Sequence, residues 1–83
     1  MYSIPHTVIK IPIGAKPLSV QMQHGIPCIW AMVDIGMPME ERTVNIYGTG
    51  HQWDFIYGEY LGTIQINNGD EIYHIFVEPG ADY

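Results

Sequence analysis

Hydrophobic and polar residues alternate along most of this chain with the two-residue period of a β-strand, and glycine, proline and asparagine interrupt the alternation at short intervals. Thr7, Ile9, Ile11 and Ile13 share one side of a first run, and Gly14-Ala15-Lys16-Pro17 reads as a turn. Leu18, Val20 and Met22 then alternate with Ser19, Gln21 and Gln23, which predicts one buried and one wet face. His24-Gly25 is a two-residue hairpin signal. Ile26 to Val33 is apolar on both faces, the pattern of a central strand covered on both sides, once by a partner subunit. Asp34 to Glu41 reads as a loop around Gly36 and Pro38, and Thr43 to Tyr47 resumes the alternation. Gln52 to Gly58 is an irregular, aromatic segment. The clearest hairpin runs from Tyr60 to Ile66, turns at Asn67-Asn68-Gly69-Asp70, and returns from Glu71 to Val77. The tail from Glu78 to Tyr83 is expected to fray.

No stretch carries a helical period, a repeat or a domain boundary. The pattern predicts an all-β fold: one small domain over residues 1–83, with about six short strands in an antiparallel sandwich or partly open barrel. Trp30 and Cys28, inside the apolar run, read as core residues. His74, in step with Ile72 and Phe76, reads as a core or interface histidine, and Gln21, Gln23 and Asn45 fall on the wet face.

Composition sharpens this picture. Hydrophobic residues make up 47% of the 83 and charged residues only 14%, so the surface is poor in charge for a small domain with two tryptophans and six tyrosines to place. Burying a shared apolar face in a homo-oligomer resolves both problems. The net charge of −6 rests on only three fixed cations, Lys10, Lys16 and Arg42. That argues against binding nucleic acid, which takes several phosphate contacts, and against an anionic membrane surface. No apolar run reaches spanning length, the N-terminus lacks signal-peptide character, and a single cysteine forms no internal disulfide. These features point to a reduced, cytoplasmic setting.

Little in the chain suggests catalysis. The four histidines, His6, His24, His51 and His74, show no paired metal-ligand spacing, no serine sits in a nucleophile elbow, and the acids cluster in loops and the tail. No metal site, cofactor or catalytic residue is expected. Tyr47-Gly48-Thr49-Gly50-His51-Gln52-Trp53 is the richest stretch. Its two glycines serve either as a strand-ending bulge or as a cup of backbone N–H groups which, with Thr49 and His51, holds a phosphate or carboxylate. Arg42 is the expected charge partner, because a guanidinium grips phosphate bidentately. Trp53, Phe55 and Tyr57 close one end of a barrel, stack on a ligand, or plug into another subunit.

The runs Ala15-Lys16-Pro17-Leu18-Ser19-Val20-Gln21-Met22-Gln23, Gly25, Pro27-Cys28, Trp30-Ala31, Val33-Asp34, Pro38 and Glu41-Arg42 resemble a largely uncharacterised family of short phage and prophage proteins. The resemblance continues through Ile46-Tyr47-Gly48-Thr49-Gly50-His51, Tyr60-Leu61-Gly62-Thr63 and His74-Ile75-Phe76. It departs at Gln52-Trp53-Asp54-Phe55-Ile56, where relatives carry prolines and acidic residues. The resemblance implies an infected bacterial host as the setting and supplies no activity. Together these features lead to the expectation of a non-catalytic, homo-oligomeric protein that captures a nucleotide-type host defence signal, such as an ADP-ribose derivative or a cyclic nucleotide. Arg42, Tyr47, Gly48, Thr49, Gly50, His51 and Trp53 are the candidate contacts. The rival expectations are a protein-binding inhibitor of a host enzyme and a virion or assembly accessory without a ligand.

Overall fold

A computed structural model describes residues 6–48 and 56–80. Six strands follow in chain order: β1 (His6–Pro12), β2 (Lys16–Gln23), β3 (Ile26–Met32), β4 (Met39–Gly48), β5 (Glu59–Ile66) and β6 (Glu71–Val77). All pairings are antiparallel. β1-β4-β6-β5 form one sheet and β2-β3 a second, so the all-β expectation holds and the described residues contain no helix.

Both hairpins follow from local chemistry. Gln23 pairs with Ile26 across His24-Gly25, whose φ angles of 52° and 78° define a type I′ connection that glycine adopts without penalty. At the other hairpin Asn67, Asn68 and Gly69 have φ of 56°, 57° and 92°, and the Asp70 N–H donates to the Asn67 carbonyl at 3.1 Å. Asparagine tolerates this left-handed backbone better than other side-chain-bearing residues. The turn is braced from below: Glu71 accepts from the Asn67 amide at 2.5 Å and from the Tyr73 hydroxyl at 3.0 Å. That hydrogen bond to Glu71 holds the Tyr73 phenol above its usual pKa of 10.0, with partial burial and the carboxylate charge adding to it.

The core lies between the sheets. Val44, Ile46, Ile64, Ile75 and Val77 are buried, and Val20, Met22 and Ile29 of the smaller sheet close over them. Ile11 and Ile13 are buried and Ile9 packs against the core, as their alternation predicts. The sheets come closest where β2 crosses β5. A Cβ on Gly62 would stand 2.9 Å from Val20 Cγ1, too close without displacing that side chain. Gly62→Ala is therefore expected to cost about 1–3 kcal/mol of stability by overpacking. Urea denaturation of Gly62→Ala, Val20→Ala and the double variant checks this: the double variant should recover part of the single losses, whereas simple additivity removes the steric account.

Several expectations change in three dimensions. Leu18 does not join Val20 and Met22 in the core. The β2–β3 register shifts between Pro17 and Ser19, and this bulge turns Leu18 outward, 52% exposed. β4 starts at Met39, four residues before the expected Thr43, because Pro12 to Ile9 of β1 continue the ladder opposite Met39 to Arg42. β3 is not a central strand: it is the edge of the two-stranded sheet, and Trp30, expected in the core, is 42% exposed. Cys28 is half-buried. The tail does not fray from Glu78, whose N–H donates to the Thr43 carbonyl at 3.0 Å. Residues 81–83 of that tail and the side chain of Thr7 lie outside the described residues.

β4 and β5 both run antiparallel to β6 and hence parallel to each other. The connection between them leaves at Gly48, opposite Tyr73, and arrives at Glu59, opposite Val77, about 13 Å further along β6. Its last residues, Tyr57 and Gly58, seat on the strand ends around Asn45 and Val77.

Candidate functional site

The face of the larger sheet turned away from the core carries an aromatic stripe. Tyr47 of β4, Phe76 of β6 and Tyr60 of β5 reach it because each is one residue out of step with a buried isoleucine or valine, or is displaced by a bulge. The Tyr47 and Phe76 rings meet edge to face, with centroids 5.6 Å apart and planes at 74°, and Tyr60 tilts on Phe76 at 5.4 Å and 60°. Tyr60 is fixed further by polar contacts. Its hydroxyl lies 2.5 Å from Thr63 Oγ1, which in turn lies 2.9 Å from His74 Nδ1. His74 is thus half-buried with a partnered ring nitrogen, and it lies on the face turned away from the core, so the core reading of its alternation with Ile72 and Phe76 does not hold: β6 buries Ile75 and Val77 instead.

Beside the start of β5, between the two sheets, lies a pocket of about 210 Å3 of mixed polar and apolar lining, formed by Lys16, Leu18, Arg42, Glu59, Tyr60 and Val77 among others. Two of the three cations of the whole chain converge here. The two bulges flank it. The shift at Leu18 in β2 and a second between Tyr60 and Gly62 in β5 re-aim the side chains that form its walls. Arg42 is anchored at its base, its Nε donating to the Glu78 carbonyl at 3.1 Å and its Nη1 to the Ala15 carbonyl at 2.7 Å. Those bonds use two of the five guanidinium N–H groups and hold the planar charge in a fixed orientation. Ala15 is presented by the turn after β1, where its N–H donates to the Pro12 carbonyl at 3.1 Å and Gly14 takes φ of 83°.

Beside this pocket Asn45 corrects a sequence expectation. Placed on the wet face by its alternation, it is only 4% exposed. Its amide nitrogen donates to the Tyr57 carbonyl at 3.0 Å and to Glu78 Oε2 at 2.8 Å, tying the end of the β4–β5 connection and the chain after β6 to the sheet. Gln21 and Gln23 are exposed, as expected.

The predicted site residues divide into two groups in space. Arg42 and Gly48 lie six residues apart on β4, about 20 Å along an extended strand, so a single phosphate does not reach both. Gly48 is buried in the ladder opposite Tyr73, and Tyr47 stands opposite His74. Thr49, Gly50, His51 and Trp53, together with Phe55, lie outside the described residues. Sequence reasoning missed Lys16, Glu59 and Tyr60 as neighbours of Arg42. The scarcity of cations was the one signal pointing toward Lys16, and nothing in the sequence brings the start of β2 to the start of β5. Among the described residues no group of His, Cys, Asp and Glu is placed to hold a metal ion, and no helix is long and apolar enough to cross a membrane.

The fold and this surface define a class: a small all-β domain of two antiparallel sheets, with a bulge-flanked cationic pocket beside Tyr60 of an aromatic stripe. The family model of a domain of unknown function, DUF7352, matches residues 2–82, and the chain belongs to that family. No curated protein and no solved structure matches it.

Proposed function

We propose that this protein is a non-catalytic binder of a nucleotide-type small molecule, held at the Lys16–Arg42–Tyr60 pocket. The observation that carries this reading is the convergence of two of only three cations on one pocket beside Tyr60, whose ring is exposed and packs on Phe76. A phosphate there takes charge-assisted hydrogen bonds from the Arg42 N–H groups not used by carbonyls and from the Lys16 ammonium. The ring of the ligand lies against Tyr60 and the Phe76 edge, and Glu59 accepts from a sugar hydroxyl or a base N–H. A pocket of about 210 Å3 encloses a phosphate and part of a sugar, leaving the rest of the ligand on the stripe toward Tyr47. A longer ligand then reaches toward the Gly48 end, where Thr49, Gly50, His51 and Trp53 follow in sequence. The resemblance to short phage proteins supports the cellular reading: a phage-encoded sponge in the cytoplasm of an infected bacterium that withdraws an ADP-ribose-type or cyclic nucleotide immune signal.

Isothermal titration with ADP-ribose, cyclic dinucleotides, ATP and pyrophosphate tests the proposal. At least one nucleotide binds more tightly than pyrophosphate. Lys16→Glu and Tyr60→Ala each weaken that binding at least about tenfold, or about 1.4 kcal/mol, while leaving the melting temperature within a few degrees. Silence across the panel, or binding indifferent to both substitutions, rejects this site.

A further inference from the structure

We propose that β3 is the dimerisation edge of this protein, pairing antiparallel with β3 of a second copy about a two-fold axis through Trp30. The inference is independent of the ligand reading, and it gives a surface to the homo-oligomer that the composition calls for.

Backbone direction supplies the first argument. In the two-residue hairpin, Gln23 and Ile26 are the narrow, hydrogen-bonded pair, so Ile26, Cys28 and Trp30 point their N–H and C=O groups toward β2. Ile29 and Ala31 therefore point theirs outward, away from the only strand that β3 pairs with among the described residues. Native proteins blunt such edges with charge, proline or cover. Here Pro27 removes one donor at the hairpin end, and the next five residues are uncharged. The edge instead borders a mainly apolar seam of about 400 Å3 between β3 and β1, lined by Ile9, Ile11, Val20, Ile29 and Ala31 among others, with Lys10 the one charged residue on its wall among the described residues.

Side chains supply the second argument. Ile26 and Met32, on the outer face of β3 with Cys28 and Trp30, are 58% and 63% exposed. A strand apolar on both faces is built for a central position, and this one lies at an edge. Addition of a strand makes it central.

Charge selects the occupant. In a molecule of net charge −6, self-association requires a surface where like charges do not meet, and residues 26–33 carry none. The two-fold register also accommodates Pro27. Ile29 exchanges both hydrogen bonds with the partner's Ala31, Trp30 stands opposite the partner's Trp30, and the missing donor falls at the end of the ladder. A continuous sheet β2-β3-β3-β2 results, with the partner strand over the mouth of the seam.

The register places Cys28 opposite the partner's Met32 as a non-hydrogen-bonded pair, with Cα atoms about 4.5 Å apart, within disulfide range. Within one chain the same positions are about 13 Å apart along the strand and cannot be bridged. Met32→Cys should therefore oxidise to a covalent dimer, while the wild-type protein, with Cys28 alone, does not cross-link. Light scattering should give about twice the 9.4 kDa chain mass for wild type. Trp30→Lys, which places two ammonium groups at the axis, should raise the dimer dissociation constant at least about tenfold with an unchanged far-ultraviolet spectrum. A wild-type monomer, a Met32→Cys protein that stays uncross-linked, or a folded Trp30→Lys dimer of undiminished affinity each overturns the assignment.

Discussion

Replacing Gly58 with alanine is expected to produce the largest loss of stability of any single methyl addition in the described residues. Gly58 has φ of +98°, a region that L side chains rarely adopt. An added Cβ would stand 2.8 Å from the Val77 carbonyl carbon, 2.9 Å from its oxygen and 3.0 Å from the Glu78 nitrogen. All three are backbone atoms of a strand paired on both sides at Val77, so no rotamer change relieves the clash. Strained φ and overpacking each cost roughly 1–3 kcal/mol, for a total of about 2–6 kcal/mol. Against a total stability of about 4–12 kcal/mol for a domain of this length, that leaves the variant partly unfolded at room temperature or melting at least about 10 °C below wild type. A melting temperature within about 3 °C of wild type would show that the β4–β5 connection does not press against β6 at this point. Gly14, which also has positive φ but no atom within 4 Å of an added Cβ, is the control: Gly14→Ala bears only the backbone strain and should lose distinctly less.

Asn45→Asp carries the second large effect, and it has a pH signature. The wild-type amide donates to a carbonyl and to the Glu78 carboxylate from a nearly fully buried position. An ionised aspartate there offers acceptors to two acceptors and places two carboxylates together. The cost of such an uncompensated buried charge is about 3–5 kcal/mol. Burial and the like charge raise the folded-state pKa of the new carboxyl above its unfolded value. Below the unfolded value both states are protonated and the electrostatic penalty vanishes, since a protonated carboxyl donates as the amide did. As pH rises through about 4 the unfolded state ionises first, and stability falls until the folded-state pKa is passed. Melting curves from pH 8 down to pH 4 should show Asn45→Asp recovering toward wild type at the acid end. Asn45→Ala, which only removes the donor, should lose about 1–3 kcal/mol at every pH. Parallel pH profiles for the two variants would mean that Asn45 does not contact Glu78 in solution.

These two positions show what kind of information the sequence holds. The hairpins at His24-Gly25 and Asn67 to Asp70 were legible because turn chemistry is local: the residues that take positive φ are the residues that tolerate it. The alternation that turns Ile9, Ile11 and Ile13 toward the core was legible for the same reason, whereas in β6 the core takes Ile75 and Val77, the face opposite the one on which His74 was read with Ile72 and Phe76. The alternation failed at Leu18 because a bulge changes the parity of a strand without marking the sequence. It failed at Asn45 because the wet face of β4 is covered locally by Tyr57 and Glu78, which arrive from 12 and 33 residues away. The predicted site suffered in the same way. Arg42 was singled out by scarcity, yet its neighbours Lys16 and Tyr60 come from other strands, and Gly48, its expected companion, stands at the far end of its own strand.

The sequence by itself determined an all-β fold of six short strands, where its two tight hairpins turn, and that only three fixed cations are available, because these depend on local backbone preference and on composition. The tertiary structure alone decided which strands are neighbours, that β3 stands at an edge, and that Lys16, Arg42 and Tyr60 meet in one pocket. Those outcomes depend on how two sheets with their bulges pack around a shared core, a non-local balance that no window of residues encodes.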